Sequence, residues 1–137
     1  MKHDYLIIGQ GLAGSILAYQ LLSRGKSVAI IDERHPSSSS RVAAGLANPF
    51  TGPKMVKSWK AEDLFPFLKQ FYHALETETN AHFFSERTIY RPFGSIEELN
   101  DWYGRSTQPN YQKFIRSICE KGKHSDVVNE PFGGVEI

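Results

Sequence analysis

The sequence predicts an α/β fold that opens on a parallel βαβ unit. Three observations carry this. An apolar run, Tyr5 to Ile8, leads into Gly9, Gly11 and Gly14, which have the G-x-G-x-x-G spacing. A helix-forming segment, Leu12 to Leu22, follows, and Gly25 closes it. A second apolar run, Val28 to Ile31, ends on Asp32, an acid at roughly the 20-residue interval such units show.

Each part has a physical task. Gly9 permits the tight turn out of the first strand. Gly11 has no side chain, so a pyrophosphate can approach the backbone, and Gly14 lets the helix pack closely on the sheet. The helix N-terminus offers unpaired N–H groups and a partial positive charge to a phosphate. Asp32 can accept hydrogen bonds from ribose hydroxyls. The helix carries Leu12, Ile16, Tyr19 and Leu22 on one stripe, with Ala13, Leu17, Ala18 and Leu21 beside it, a width suited to packing on a sheet.

Composition bounds the rest. The chain has 137 residues, 40% hydrophobic and 23% charged, with a net charge of +1. That suits one folded domain and excludes both a disordered chain and a strongly basic nucleic-acid surface. Cys119 is the single cysteine, so there is no internal disulfide framework, and a reducing compartment is expected. The run Leu6 to Ile8 is too short for a signal peptide or a membrane span. A soluble cytoplasmic protein is the expectation. After Asp32 no second βαβ repeat follows, and Phe132 to Ile137 reads as the start of a strand. The chain is therefore expected to be the N-terminal piece of a longer protein.

Beyond Asp32 come Glu33, Arg34, His35 and Pro36, then four serines, Ser37 to Ser40, and Arg41. This is a loop by composition. It reads either as a solvated linker or as a loop over a nucleotide, with hydroxyls and Arg41 donating to phosphate oxygens. The small residues Ala43, Ala44 and Gly45, with Leu46, allow close backbone approach to a flat or bulky group. Pro49, Gly52 and Pro53 predict a turn. Lys54, Lys57 and Lys60 around Trp59 read as a solvated face rather than a nucleic-acid patch.

Apolar residues at helical spacing, Leu64, Leu68, Phe71, Tyr72 and Leu75, predict a helix from Ala61 to about Thr79, with Pro66 in its first turn or kinking it. Residues His82 to Pro92 predict an extended strand. The capping box Ser95-Ile-Glu-Glu98 starts another helix, with Ile96, Leu99 and Trp102 or Tyr103 on its apolar face. A further helix is expected after Pro109, with Asn110 as N-cap, a stripe of Tyr111, Phe114, Ile115 and Ile118, and an end at Gly122. Cys119 neighbours that stripe and reads as a small buried hydrophobe. Val127-Val128 and Gly134 to Ile137 are strand candidates. The histidines His3, His35, His73, His82 and His124 show no metal-ligand spacing, so no metal site is expected.

At Gly9-x-Gly11-x-x-Gly14, Asp32 and Ala43-Ala-Gly-Leu46 the chain resembles the D-amino-acid oxidase and glycine oxidase family of flavoenzymes. The helix Ser15-Ile-Leu-Ala18-Tyr19-Gln-Leu21, the serine loop and Pro49 follow that family's order, and Gly133 to Ile137 looks like its substrate-domain strand. The resemblance implies a Rossmann-like FAD-binding domain over residues 1–81, then the beginning of an α+β substrate or cap domain over 82–137. It implies FAD, with the adenosine ribose at Asp32, pyrophosphate at Gly11 to Ser15, and the Ala43 to Asn48 segment, Ala44, Gly45 and Leu46 among it, beside the flavin; Glu33 and Arg41 are further cofactor-binding candidates. The implied activity is oxidation of an amine or amino-acid C–N bond by hydride transfer to flavin, on a small-molecule substrate, with the isolated chain catalytically incomplete. The family's substrate-binding residues lie later, so no catalytic residue is named. Asn48, Thr51 and Lys54 are the polar candidates near the ring, each also a natural turn or surface residue. Two alternatives stay open: an NAD-dependent dehydrogenase domain, which explains Asp32 equally well but not residues 37–59, and a non-catalytic dinucleotide-binding fragment.

Overall fold

The computed structural model describes residues 2–137. The chain divides into two compact units, one running to Ala47 and the other from Asn48 to Ile137. The boundary expected between cofactor and substrate portions, after residue 81, falls inside the second unit.

The first unit is β1 (Tyr5–Ile8), α1 (Leu12–Leu22), β2 (Val28–Ile31) and the short α2 (Ser39–Val42). β1 and β2 pair in parallel, from Tyr5 opposite Val28 to Ile8 opposite Ile31. A reciprocal clamp fixes this register. The Asp4 carboxylate accepts from the Ser27 amide and hydroxyl, both at 2.8 Å, while the Asp4 amide donates to Ser27 Oγ at 3.0 Å. α1 ends in a Schellman closure: Gly25 sits at φ 72°, its N–H donates to Leu22 O, and Lys26 N–H reaches Leu21 O. Ile7 and Ala18 are the buried apolar residues of this unit, whereas Leu6, Ile8, Leu12 and Ile31 are more than half exposed. The wide apolar face of α1 is therefore only partly covered. The serine stretch, expected as loop, contains the single turn of α2.

The second unit contains β3 (Phe50–Thr51), β4 (Val56–Lys57), α3 (Ala61–Thr79), β5 (Tyr90–Pro92), α4 (Ile96–Ser106), α5 (Pro109–Gln112), β6 (Ser117–Cys119) and β7 (Gly134–Glu136). β3 and β4 form a hairpin whose turn carries Gly52 at φ 72° and Met55 at φ 47°. The Arg105 guanidinium of α4 donates to the carbonyls of Lys54 and Met55, each at 3.0 Å, and so pins that turn. β5, β7 and β6 form an antiparallel sheet with β7 central. The core is Phe50, Met55, Phe93, Trp102 and Val135. Phe50 stacks on Tyr111 at 5.4 Å and meets Trp102 edge-on at 5.3 Å, a geometry aromatic quadrupoles favour.

α3 runs through Pro66 without a break. α4 begins as the capping box dictates: Ser95 Oγ accepts from Glu98 N–H at 3.2 Å. The Glu98 carboxylate returns to Gly94 N–H, one residue before the cap, and also pairs with Arg91.

Three expectations are corrected. The strand expected over 82–92 is present only at Tyr90–Pro92, because the amides of Phe83 and Phe84 donate to the Glu76 carboxylate at 2.7 Å instead of to a ladder. The helix expected from Pro109 to Gly122 stops at Gln112, its N-cap is Gln108 rather than Asn110, and Ser117–Cys119 is a strand. There the antiparallel ladder with β7, extended by Arg116 N–H to Glu136 O, outcompetes the helical period of Ile115 and Ile118. Val127 and Val128 are not a strand: both amides close a turn on His124 O at 3.0 Å.

Candidate functional site: a glycine turn facing an acid

The site is assembled at the C-terminal ends of β1 and β2. Gly9 leaves β1 at φ 94°, in the left-handed region that glycine favours, with its N–H on Ile31 O at 2.8 Å. A Cβ on Gly14 would lie 2.0 Å from Gly9 O, so the absent side chain is what lets α1 start beneath the turn. A Cβ on Gly11 would lie 2.9 Å from Ser40 Oγ, the end of a movable side chain.

The N-terminus of α1 carries no acid in its first turn, and Gly11 supplies no side-chain cap. One of its amides, Leu12 N–H, donates to Ser40 Oγ at 2.9 Å. The partial positive charge of this end therefore faces the cleft, capped by one neutral hydroxyl. Asp32 stands opposite. Its Oδ2 accepts from Gln10 N–H at 2.5 Å and its Oδ1 from Arg34 N–H at 2.6 Å. These two amides, Gln10 first, with the charges of Arg41 and Arg34 adding, hold its carboxyl below the usual range. Each carboxylate oxygen keeps lone-pair capacity for a further donor. Arg34 is held at φ 56°, an unusual conformation for a side chain of that size, and it turns the chain back over Asp32.

The result is a cleft of about 550 Å³ lined by Gln10, Gly11, Ser15, Asp32, Glu33, Arg34, His35, Ser38, Ser40 and Arg41. It gathers the expected Gly11, Ser15, Asp32, Glu33 and Arg41, together with two of the four loop serines. Gly9, Leu12, Ala13 and Gly14 shape the turn and first helical turn behind it. Ala44, Gly45 and Leu46 lie past α2 in an exposed segment that does not line the cleft. Asn48, Thr51 and Lys54 belong to the second unit, where Asn48 Oδ1 accepts from Phe50 N–H at 2.9 Å and the Lys54 carbonyl holds Arg105. Sequence reasoning missed Gln10, Arg34 and His35 as lining residues. Gln10 and Arg34 act on Asp32 through backbone amides, which leave no residue-type signal.

A second polar cluster lies elsewhere. Spacing offers no metal site, yet the fold brings ligand atoms of Cys119, His124 and Glu136 within 4.8 Å of one another.

A parallel βαβ unit with a helix N-terminus capped by one neutral hydroxyl, glycines its packing requires and an acid just past the second strand defines a dinucleotide-binding α/β protein. Residues 4–129 match the family of FAD dependent oxidoreductases, and the chain belongs to that family. Its cofactor is FAD, which sets aside the NAD-dependent alternative. The residues fit the adenosine diphosphate half of FAD: open backbone at Gly11, helix amides ahead of it, and a carboxylate with acceptor capacity. The chain is 30% identical over 100 residues to the uncharacterized oxidoreductase YurR of Bacillus subtilis (strain 168), covering 72% of this chain and 26% of that protein. It is 32% identical over 112 residues to the tRNA 5-methylaminomethyl-2-thiouridine biosynthesis bifunctional protein MnmC of Leptospira borgpetersenii serovar Hardjo-bovis (strain JB197), covering 82% of this chain and 15% of that protein. The chain thus spans about a quarter of the length of the first of these relatives and less of the second. No solved structure matches significantly. Among the described residues, no helix is long and apolar enough to cross a membrane.

Proposed function

We propose that this chain is the cofactor-binding portion of a flavoenzyme that oxidises a C–N bond of an amine or amino acid. The observation that carries the reading is the cleft between the Gly9–Gly14 turn and Asp32. Asp32 accepts the adenosine ribose hydroxyls, with Glu33 beside it. The α1 N-terminal amides from Gly11 to Gly14, with the Ser15 hydroxyl, receive the pyrophosphate, and Ser40 Oγ passes from Leu12 N–H to a phosphate oxygen. Arg34 and Arg41 offset the phosphate charge. Ala44, Gly45 and Leu46 run on toward the flavin. When bound, the flavin supplies the acceptor for a hydride equivalent from the carbon bearing the nitrogen.

The family match supports an oxidoreductase. The amine class is supported by the name of the MnmC relative, whose nucleoside carries a methylaminomethyl group. Residues 82–137 begin the substrate domain, the working location is the cytoplasm, and the 137-residue chain binds FAD without completing turnover. The test is anaerobic reduction of the FAD-loaded product of the whole gene by primary amines, N-methyl amines and α-amino acids. Bleaching of the oxidised flavin band by one of these classes is expected. Bleaching only by NADH or by hydroxy acids would contradict the reading.

A further inference from the structure

We propose that the second unit binds one zinc ion through Cys119 Sγ, His124 Nε2 and Glu136 Oε1, with water in the fourth position. The ligands come from three places: the end of β6, the following turn, and β7. In the β6–β7 register Ser117 faces Glu136 and Cys119 faces Gly134, so Cys119 and Glu136 lie on one face of the sheet as diagonal neighbours. His124 reaches the same point from the turn. Its Nε2 is 3.3 Å from Glu136 Oε1. Zinc bonds of about 2.0–2.3 Å in a tetrahedral arrangement place ligand atoms roughly 3.3–3.8 Å apart, so this pair already has the spacing of one edge. The three ligand atoms all lie within 4.8 Å, and a shift of about 1 Å at Sγ completes the set.

Neighbouring groups hold the Glu136 carboxylate and the His124 segment in place. Ser117 Oγ donates to Glu136 Oε2 at 2.8 Å and so leaves Oε1 aimed at the site. The His124 ring lies 4.3 Å from the Tyr90 ring, and the His124 backbone N–H donates to the Glu130 carboxylate, which also accepts a hydrogen bond from the Tyr90 hydroxyl. Cys119 is buried, 3% exposed, while Lys123 at the mouth is half exposed.

A cation already stands there. Lys123 Nζ lies 3.3 Å from Cys119 Sγ and 2.9 Å from Glu136 Oε1. Its ammonium neutralises the site in the metal-free chain. On zinc binding the Lys123 side chain swings into solvent and stays protonated, while the Cys119 thiol releases its proton as the Zn–S bond forms. Thiolate, imidazole and carboxylate together select zinc over magnesium or calcium, which take oxygen ligands.

Zinc titrated into the 137-residue chain against a chromophoric chelator should bind at one per chain. Cys119→Ser and His124→Ala should each weaken binding by about tenfold or more, and Lys123→Met should tighten it by about tenfold by removing the competing ammonium. Cobalt should give a thiolate charge-transfer band that Cys119→Ser abolishes. Circular dichroism checks that each variant is folded, and misfolding cannot mimic tighter binding by Lys123→Met. The proposal is overturned if the wild-type chain takes up no stoichiometric zinc, if Cys119→Ser binds as tightly as wild type, or if Lys123→Met does not tighten binding.

Discussion

Gly11 and Gly14 are three positions apart and do different work. A side chain at Gly14 meets the Gly9 carbonyl at 2.0 Å, and backbone cannot step aside. Gly14→Ala should therefore cost about 3 kcal/mol, the upper end of overpacking penalties, and denaturant melts should show it as loss of the first unit. A side chain at Gly11 meets only Ser40 Oγ. Gly11→Val should leave a mostly folded chain and abolish FAD binding by filling the pyrophosphate's space. Unchanged FAD affinity in that variant would refute the role. Asp32 gives a pH prediction. Its folded carboxyl titrates below the ordinary value, chiefly because the Gln10 and Arg34 amides favour the charged form. Its contribution is therefore complete above the unfolded value of about 3.9 and is lost as pH falls through the lower folded value. Asp32→Asn should lower the melting temperature at neutral pH and flatten the acid limb of the curve. An unaltered acid limb would count against the two amide bonds.

At the scale of elements, local signals decided what could be read in advance. α1, β2, α3 and the start of α4 each carry their own punctuation: glycine at a helix end, a long apolar period, a capping serine. Ser95→Ala should cost about 1 kcal/mol in urea denaturation, because Glu98 N–H loses its acceptor while Glu98 keeps Gly94 and Arg91. β6 was not legible. Phe114, Ile115 and Ile118 fit a helical period, and what makes Ser117–Cys119 a strand is β7, far along the chain. Residues 83 and 84 depart from the expected strand for a similar reason, since their amides go to Glu76 of α3. Within the cofactor site, the glycines and Asp32 were legible because their chemistry depends on residue type. Gln10 and Arg34 were not, because they contribute N–H groups that any residue has. The Cys119, His124 and Glu136 cluster was equally hidden, since a strand register and a turn assemble it.

At the scale of the molecule the two units differ in how much apolar surface they hide. The second has an aromatic core, and Phe50→Ala should cost about 3–5 kcal/mol there, read from loss of the cooperative melt. In the first unit, Ile7 and Ala18 are the buried apolar residues. That unit should show the weaker hydrogen-exchange protection, and FAD should raise it by mass action on the folded state. The central claim is that this unit recognises the adenosine diphosphate half of the cofactor. The most direct test is amide NMR of the 137-residue chain titrated separately with FAD, ADP and FMN. FAD and ADP should shift Gln10 to Ser15, Asp32 and Ser40, and FMN, which lacks the adenosine, should leave them in place. Equal binding of FMN, or no movement of these amides with FAD, would contradict it.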